Sequence, residues 1–79
     1  MTLTDIIPRE TYQITELLVA DEDVVATRLR QLGFIPGMMF TCEAVAPLIK
    51  NPYLVRIRGI SVALARHEAL LIKIEKASV

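Results

Sequence analysis

The segment RLRQLGFIPGMMF, residues 28–40, changes its hydrophobic period half-way along. Up to Gly33, the apolar residues Val25, Leu29 and Leu32 fall at i, i+4 and i+7, one stripe of a helix. After Pro36-Gly37 the spacing drops to two, the period of a strand. Gly33 stands where a left-handed residue closes a helix without a Cβ clash. Pro36 fixes φ at the second position of a turn, and Gly37 accepts the positive φ that a type II turn needs at the third. Phe34 and Ile35, caught between the two turns, cannot both be left in water. The joint should therefore pin the helix against the mouth of a β structure. A phosphate-binding loop is excluded: each side of the joint has a single glycine, and no Lys-Ser/Thr pair follows.

Working outward, DEDVVATRLRQL (21–32) reads as the helix. Asp21 is placed to cap it, Glu22 and Asp23 suit its positive end, and Arg28 and Arg30 lie near its negative end. Upstream, Thr2 is positioned to cap one short helical turn that Pro8 ends, and YQITELL (12–18) alternates as a first strand. Downstream, MFTCEAVA (39–46) begins with Phe40 and Cys42 on one face. Val45 rather than Ala44 is the next bulky residue, which predicts a bulge. Pro47, Asn51 and Pro52 mark a loop. YLVRIR (53–58) sets Tyr53, Val55 and Ile57 inward, Gly59 turns the chain, and ISVALA (60–65) sets Ile60, Val62 and Leu64 inward. RHEA (66–69) is too short for a helix and suits a tight turn. LLIKIE (70–75) sets Leu70, Ile72 and Ile74 inward. The expected fold is mainly β: residues 1–79 as a single domain, a small SH3-like five-stranded barrel with one α-helix inserted between strands 1 and 2.

Composition narrows the function. Of 79 residues, 53% are hydrophobic, so most aliphatic side chains are committed to a thin core. The single cysteine cannot form an internal disulfide and suits a reducing cytoplasm. Nine basic residues balance nine acidic ones, without the positive field of a nucleic-acid binder. Asp5, Arg9, Glu10 and Glu16 argue against a signal peptide. No apolar run approaches the ~20 residues that span a bilayer. The expectation is a cytoplasmic protein without direct membrane insertion and without a nucleic-acid partner.

Candidate side chains are few. His67 and Cys42 stand 25 positions apart with no neighbouring His or Cys, so a turn histidine and a core thiol are the favoured readings over an iron site. Glu68 merits attention only because it adjoins His67. No paired carboxylates, Ser/His/Asp set or activated thiol appears, so neither catalysis nor a cofactor is expected. Arg56 and Arg58 share a strand face and, with Arg66, could line one wall opposite Glu43. The plainer reading of that wall is a solvated, partly paired face. Phe34, Met38, Met39, Leu48, Ile49 and Tyr53 form an apolar surplus, able either to fill a satellite core or to build a cleft for a partner's side chain. The partner-binding candidates are accordingly Phe34, Met38, Leu48, Ile49, Tyr53, Arg56 and Arg58.

Several segments together resemble the FeoA family, ferrous iron transport protein A. The joint reads Leu29-Arg-Gln-Leu32-Gly33-Phe-Ile-Pro36-Gly37, similar to that family's L-x-x-L-G-x-x-P-G. Val45-Ala46-Pro47-Leu48, Arg58-Gly59 followed by Ile60-Ser-Val-Ala-Leu64, and Arg66-His67-Glu68-Ala69 with Leu71-Ile72-Lys-Ile74 follow in the family's order. Leu3-Thr-Asp-Ile6 is similar as well. Two features depart from the pattern. The family's A-P-L-G-D-P loop is here Ala46-Pro47-Leu48-Ile49-Lys50-Asn51-Pro52, one residue longer, with Lys50 in place of negative charge. The usual glycine before the first strand is replaced by Arg9-Glu10.

The resemblance implies a small cytosolic SH3-like protein that binds the cytosolic G domain of a membrane ferrous iron permease and supports or regulates transport. Any association with the inner membrane would be peripheral, through that partner, and self-association stays open. Similar barrels are appended to metal-dependent repressors, so an SH3-like module binding a Pro-rich peptide is the alternative. An RNA-binding barrel and a direct iron chaperone are weaker rivals, the first for want of basic and aromatic residues.

Overall fold

The computed structural model describes residues 1–46 and 51–77. Its first element is the capped turn the opening residues spell out. Leu3–Asp5 form a 3-10 turn in which the Thr2 side chain accepts from the Thr4 N–H, and Asp5 Oδ2 accepts from the Thr2 N–H at 3.0 Å. There follow β1 (Thr11–Leu17), α1 (Val24–Leu32), β2 (Met39–Val45), β3 (Tyr53–Ile57), β4 (Ile60–Leu64), a one-turn helix α2 (Arg66–Ala69) and β5 (Ile72–Lys76). The strands form one antiparallel sheet in the order β4-β3-β2-β1-β5.

That order corrects the expected barrel. β4 and β5 lie at opposite ends of the sheet and do not pair, so its hydrogen bonding stays open. The chain's own start contributes to this. Ile74 N–H donates to the Met1 carbonyl at 2.9 Å and Thr2 bridges Lys73, so the free side of β5 meets residues 1–2 rather than β4.

Two register shifts bend the ladder. The one in β2, between Cys42 and Ala44, is the expected bulge: Cys42 is buried and Val45 packs back against the core. The other, in β1 between Ile14 and Glu16, leaves Thr15 and Glu16 exposed and turns Leu17 toward the core. The helix starts later than the acidic run suggests. Its cap is Asp23, whose Oδ1 accepts from the Val25 N–H at 2.9 Å. Asp21 instead takes Arg30 Nη1 on its carboxylate at 3.3 Å and Nη2 on its carbonyl at 2.9 Å. RHEA forms a helical turn because Glu68 Oε1 accepts from the Ala65 N–H at 3.0 Å, closing its N-terminus. The turn runs on through Leu70 and Leu71, so β5 begins at Ile72 and Leu70 is exposed rather than inward. Ile60 is likewise exposed, at the outer end of the β3–β4 hairpin.

One core underlies the sheet. Leu29 of α1 and the inward residues Tyr12, Ile14, Phe40, Val55, Ile57, Leu64 and Ile72 are all essentially inaccessible. Burying each such side chain contributes roughly 1.5–3 kcal/mol. Tyr12 stacks on Phe40 with centroids 5.8 Å apart, and Phe34 meets Phe40 edge-on at 6.4 Å. The Tyr12 hydroxyl accepts from the Ile7 N–H at 3.0 Å, so even this polar tip is satisfied.

Candidate docking surface

The joint of residues 28–40 is built mainly by backbone geometry. Gly33 adopts φ +106°, its N–H donates to Arg30 O (3.0 Å), and the next N–H, of Phe34, donates back to Leu29 O (2.9 Å). That pair of bonds is a Schellman closure, with Phe34 and Leu29 supplying its apolar contact in the core. Ile35–Met38 then forms the second turn, with Met38 N–H on Ile35 O (3.0 Å) and Gly37 at φ +93°. Bonds from Gly37 N–H to Ile14 O (2.8 Å) and from Ile14 N–H to Met38 O (2.9 Å) fasten it to β1.

The β3–β4 hairpin meets this joint. Its two loop residues, Arg58 and Gly59, both take positive φ (53° and 81°), as a type I′ turn requires. Arg58 is therefore in the turn, not on the strand face of Arg56, which corrects the expected arrangement. Its stem lies over Gly33: a Cβ there would sit 2.7 Å from Arg58 Cδ. Arg56 does meet Glu43, Nε to Oε2 at 3.3 Å, and also donates to Gly59 O at 3.0 Å. Ser61 Oγ donates to Glu43 Oε1 at 2.7 Å. The Ser61 hydroxyl above all, then the Arg56 guanidinium, holds the Glu43 carboxyl below the ordinary carboxylate range. Arg66 has a third role. Its N–H donates to Asn51 Oδ1 (3.1 Å) and its Nη1 to the Tyr53 hydroxyl (2.9 Å), tying α2 to the start of β3. The wall of three arginines thus resolves into three separate tasks.

The apolar candidates divide too. Phe34 and Tyr53 are wholly buried and belong to the core, so neither presents a face to a partner. Met38 is half-buried against that core, while Met39 is exposed on the outer face. Leu48 and Ile49 lie outside the described residues. The flanks of their loop, Ala46 and Asn51, sit at the far end of β2 from Met38 and Met39, roughly 20 Å away by strand rise. The cleft expected from joint and loop together depends on Leu48 and Ile49 and so falls outside the described residues. His67 is exposed and Cys42 buried, with the thiol pKa pushed up first by burial and then by the Glu43 charge. Among the described residues, no three His, Cys, Asp or Glu side chains gather into a metal-binding group.

A family model described as the FeoA domain matches residues 1–76. The chain belongs to the FeoA family. Among solved structures, the iron(II) transport protein A of Clostridium thermocellum is 30% identical with a TM-score of 0.87, covering 96% of this chain, which spans 45% of that one. FeoA of Stenotrophomonas maltophilia, solved with zinc and described as a prokaryotic SH3 domain protein, is 28% identical with a TM-score of 0.81 over 95% of this chain and 89% of that one. The manganese-activated repressor ScaR shares the fold alone, at 21% identity and a TM-score of 0.80 over 98% of this chain and 35% of the repressor. A search of curated proteins gave no match.

In this FeoA domain Glu68 matters for its own carboxylate rather than for adjoining His67. Besides capping α2 it pairs with Arg28 of α1, and at 8% exposure it is buried, so one carboxylate ties helix to turn. Its position three residues after Ala65, where a capping carboxylate reaches back, was the available signal. The Arg9 departure also acquires a meaning. Ile7-Pro8-Arg9-Glu10 repeats the Ile35–Met38 turn, with Glu10 N–H on Ile7 O at 3.2 Å and Arg9 at φ +77°, a glycine conformation held by an arginine.

Proposed function

We propose that this FeoA protein is a cytosolic accessory factor of ferrous iron uptake that docks on the cytosolic G domain of a membrane Fe²⁺ permease and supports or regulates transport. The observation that carries the reading is the family match over residues 1–76 together with the conformations found at the motif that defines the joint. The S. maltophilia FeoA, which shares the fold, is put forward as a ferrous iron transport activating factor. A small sheet whose polar residues are spent on capping and pairing suits contact with another protein better than chemistry on a small molecule. No helix among the described residues is long and apolar enough to cross a membrane, so a membrane role runs through the partner.

The likeness to ScaR favours the alternative of a module for Pro-rich peptides only at the level of fold. Such peptides dock in grooves lined by aromatic side chains. Here all four aromatics, Tyr12, Phe34, Phe40 and Tyr53, are buried, which weighs against that reading and equally against base stacking on RNA. The test is capture of the permease's purified cytosolic domain by tagged wild-type protein, with and without GTP. Retention is expected. Failure to retain it at micromolar concentrations, with both partners folded, refutes the docking reading.

A further inference from the structure

The two ends of the sheet are treated differently by the chain. The free side of β5 meets residues 1–2, and the strand carries Lys73, Glu75 and Lys76, charges of the kind that stop an edge from pairing. Among the described residues, β4 has none of these protections. Ile60, Ser61, Val62, Ala63 and Leu64 include no charge and no proline, and their pairing with β3 runs in register without a bulge. Ile57 and Ile60 flank a two-residue loop and so form a hydrogen-bonded pair; alternation makes Val55–Val62 and Tyr53–Leu64 bonded pairs as well. The N–H and C=O groups of Ser61 and Ala63 therefore point away from β3, and among the described residues they have no backbone partner. Both residues are exposed, as is Ile60 beside them.

Charge identifies what fits there. Arg58 and Arg66, both exposed, bracket β4 at its two ends. The carboxylates Glu43 and Glu68 are already paired, with Arg56 and Arg28. Among the described residues, Arg58 has no carboxylate partner and Arg66 donates only to neutral oxygens. A second copy adding two-fold about Val62 would set Arg58 against Arg66 at both ends, like charge on like. We propose that β4 is a docking edge for an extended acidic segment of the partner protein, which joins the sheet as a further strand through Ser61 and Ala63 and sets its carboxylates against Arg58 and Arg66. The proposal rests on the reading that this FeoA protein acts by docking, and names the partner's chemistry.

The probe is a fluorescein-labelled peptide, DDVTVTVDD, with KKVTVTVKK as control, titrated into the intact protein at low salt. Expected are ¹H–¹⁵N shifts and slowed amide exchange centred on Ser61 and Ala63, and binding of the lysine-ended peptide at least about tenfold weaker. Ala63→Pro removes an outward N–H while sparing the bonds to β3, so it should stay folded and lose affinity about tenfold or more. Arg58→Asn with Arg66→Gln should flatten the salt dependence. Shifts centred elsewhere, equal binding of both peptides, or a dimer that Ala63→Lys abolishes would each overturn the proposal. The permease capture separates the two readings. If Ala63→Pro retains the permease domain as wild type does, docking stands and the β4 edge falls. If wild type captures no permease domain yet the acidic peptide engages Ser61 and Ala63, the edge stands and the permease reading falls.

Discussion

Gly33→Ala should destabilise the fold by about 2 kcal/mol, twice the effect of Gly37→Ala, and the difference between them measures the contact of the helix end with the β3–β4 turn. Both glycines hold positive φ, +106° and +93°. An L side chain in that region costs about 1–2 kcal/mol, partly offset by about 0.4–1 kcal/mol because alanine restricts the unfolded chain. At Gly37 a Cβ meets nothing within 4 Å, so the net loss is conformational, about 1 kcal/mol. At Gly33 the same methyl lies 2.7 Å from Arg58 Cδ. Swinging that stem away forfeits its packing and a favoured rotamer, about 1 kcal/mol more. Tm should fall by about 8–16 °C for Gly33→Ala and about 4–8 °C for Gly37→Ala, at ~4–8 °C per kcal/mol for a domain of this size. Urea titration followed by far-UV circular dichroism gives both values, and equal slopes confirm a common two-state transition. In an Arg58→Ala background the gap should close. Equal losses in the wild-type background, or a gap that survives Arg58→Ala, would refute the account of the joint.

Arg9→Gly should raise stability by about 0.5–1 kcal/mol, since it relieves a strained φ without removing any bond the Arg9 side chain makes among the described residues; a lower urea midpoint would contradict the turn assignment. Glu68→Ala should cost about 2 kcal/mol by leaving the Ala65 N–H unmet and Arg28 unpaired, with the ion-pair share small because Arg28 is half in water; a loss that vanished in 1 M salt would show the cap contributes nothing. Because the folded pKa of Glu43 is depressed, its stabilisation is fully present above the ordinary value of 4.5 and is lost as pH falls through the folded value. Glu43→Gln should thus lose stability at neutral pH and flatten part of the acid limb; an unchanged limb refutes the Ser61–Glu43–Arg56 network. The Cys42 thiol, buried and with its pKa raised, should resist iodoacetamide in the native state and react on unfolding, which mass spectrometry would register; prompt native labelling would place it outside the core.

What could be read in advance followed local chemistry. The Gly33 closure, the Pro36-Gly37 turn and the Thr2 cap depend on residues within a few positions, and each backbone preference has one cheap solution. The β2 bulge was legible because Val45 breaks a period of two. The start of α1 was not, because Asp21, Glu22 and Asp23 offer similar local chemistry; the bond from Arg30 to Asp21 draws one of them away. Arg58 reads as a strand residue from sequence because Arg-Gly is a weak turn signal beside Asn-Gly. Barrel closure depends on whether β5 meets β4 or the chain start, a tertiary competition with no local signature. For the site, Tyr53 reads both as inward by its strand and as part of the apolar surplus; the strand period is the sounder guide. Phe34 had no period to follow, and the Schellman contact with Leu29 buried it.

The same economy shapes recognition. A domain of this length must bury its large side chains to be stable, and here all four aromatics go to the core. Those are the residues that commonly anchor a protein interface, so a partner finds no aromatic hot spot on the described surface. Among the described residues, the β4 edge leaves the backbone groups of Ser61 and Ala63 unpaired and Arg58 without a carboxylate partner. Strand addition draws affinity from main-chain hydrogen bonds, which do not depend on side-chain type. It therefore tolerates sequence change on both sides while the end charges fix direction and register. Contacts whose end charges are exposed weaken as salt screens them, so the salt dependence of binding reads the share those charges contribute.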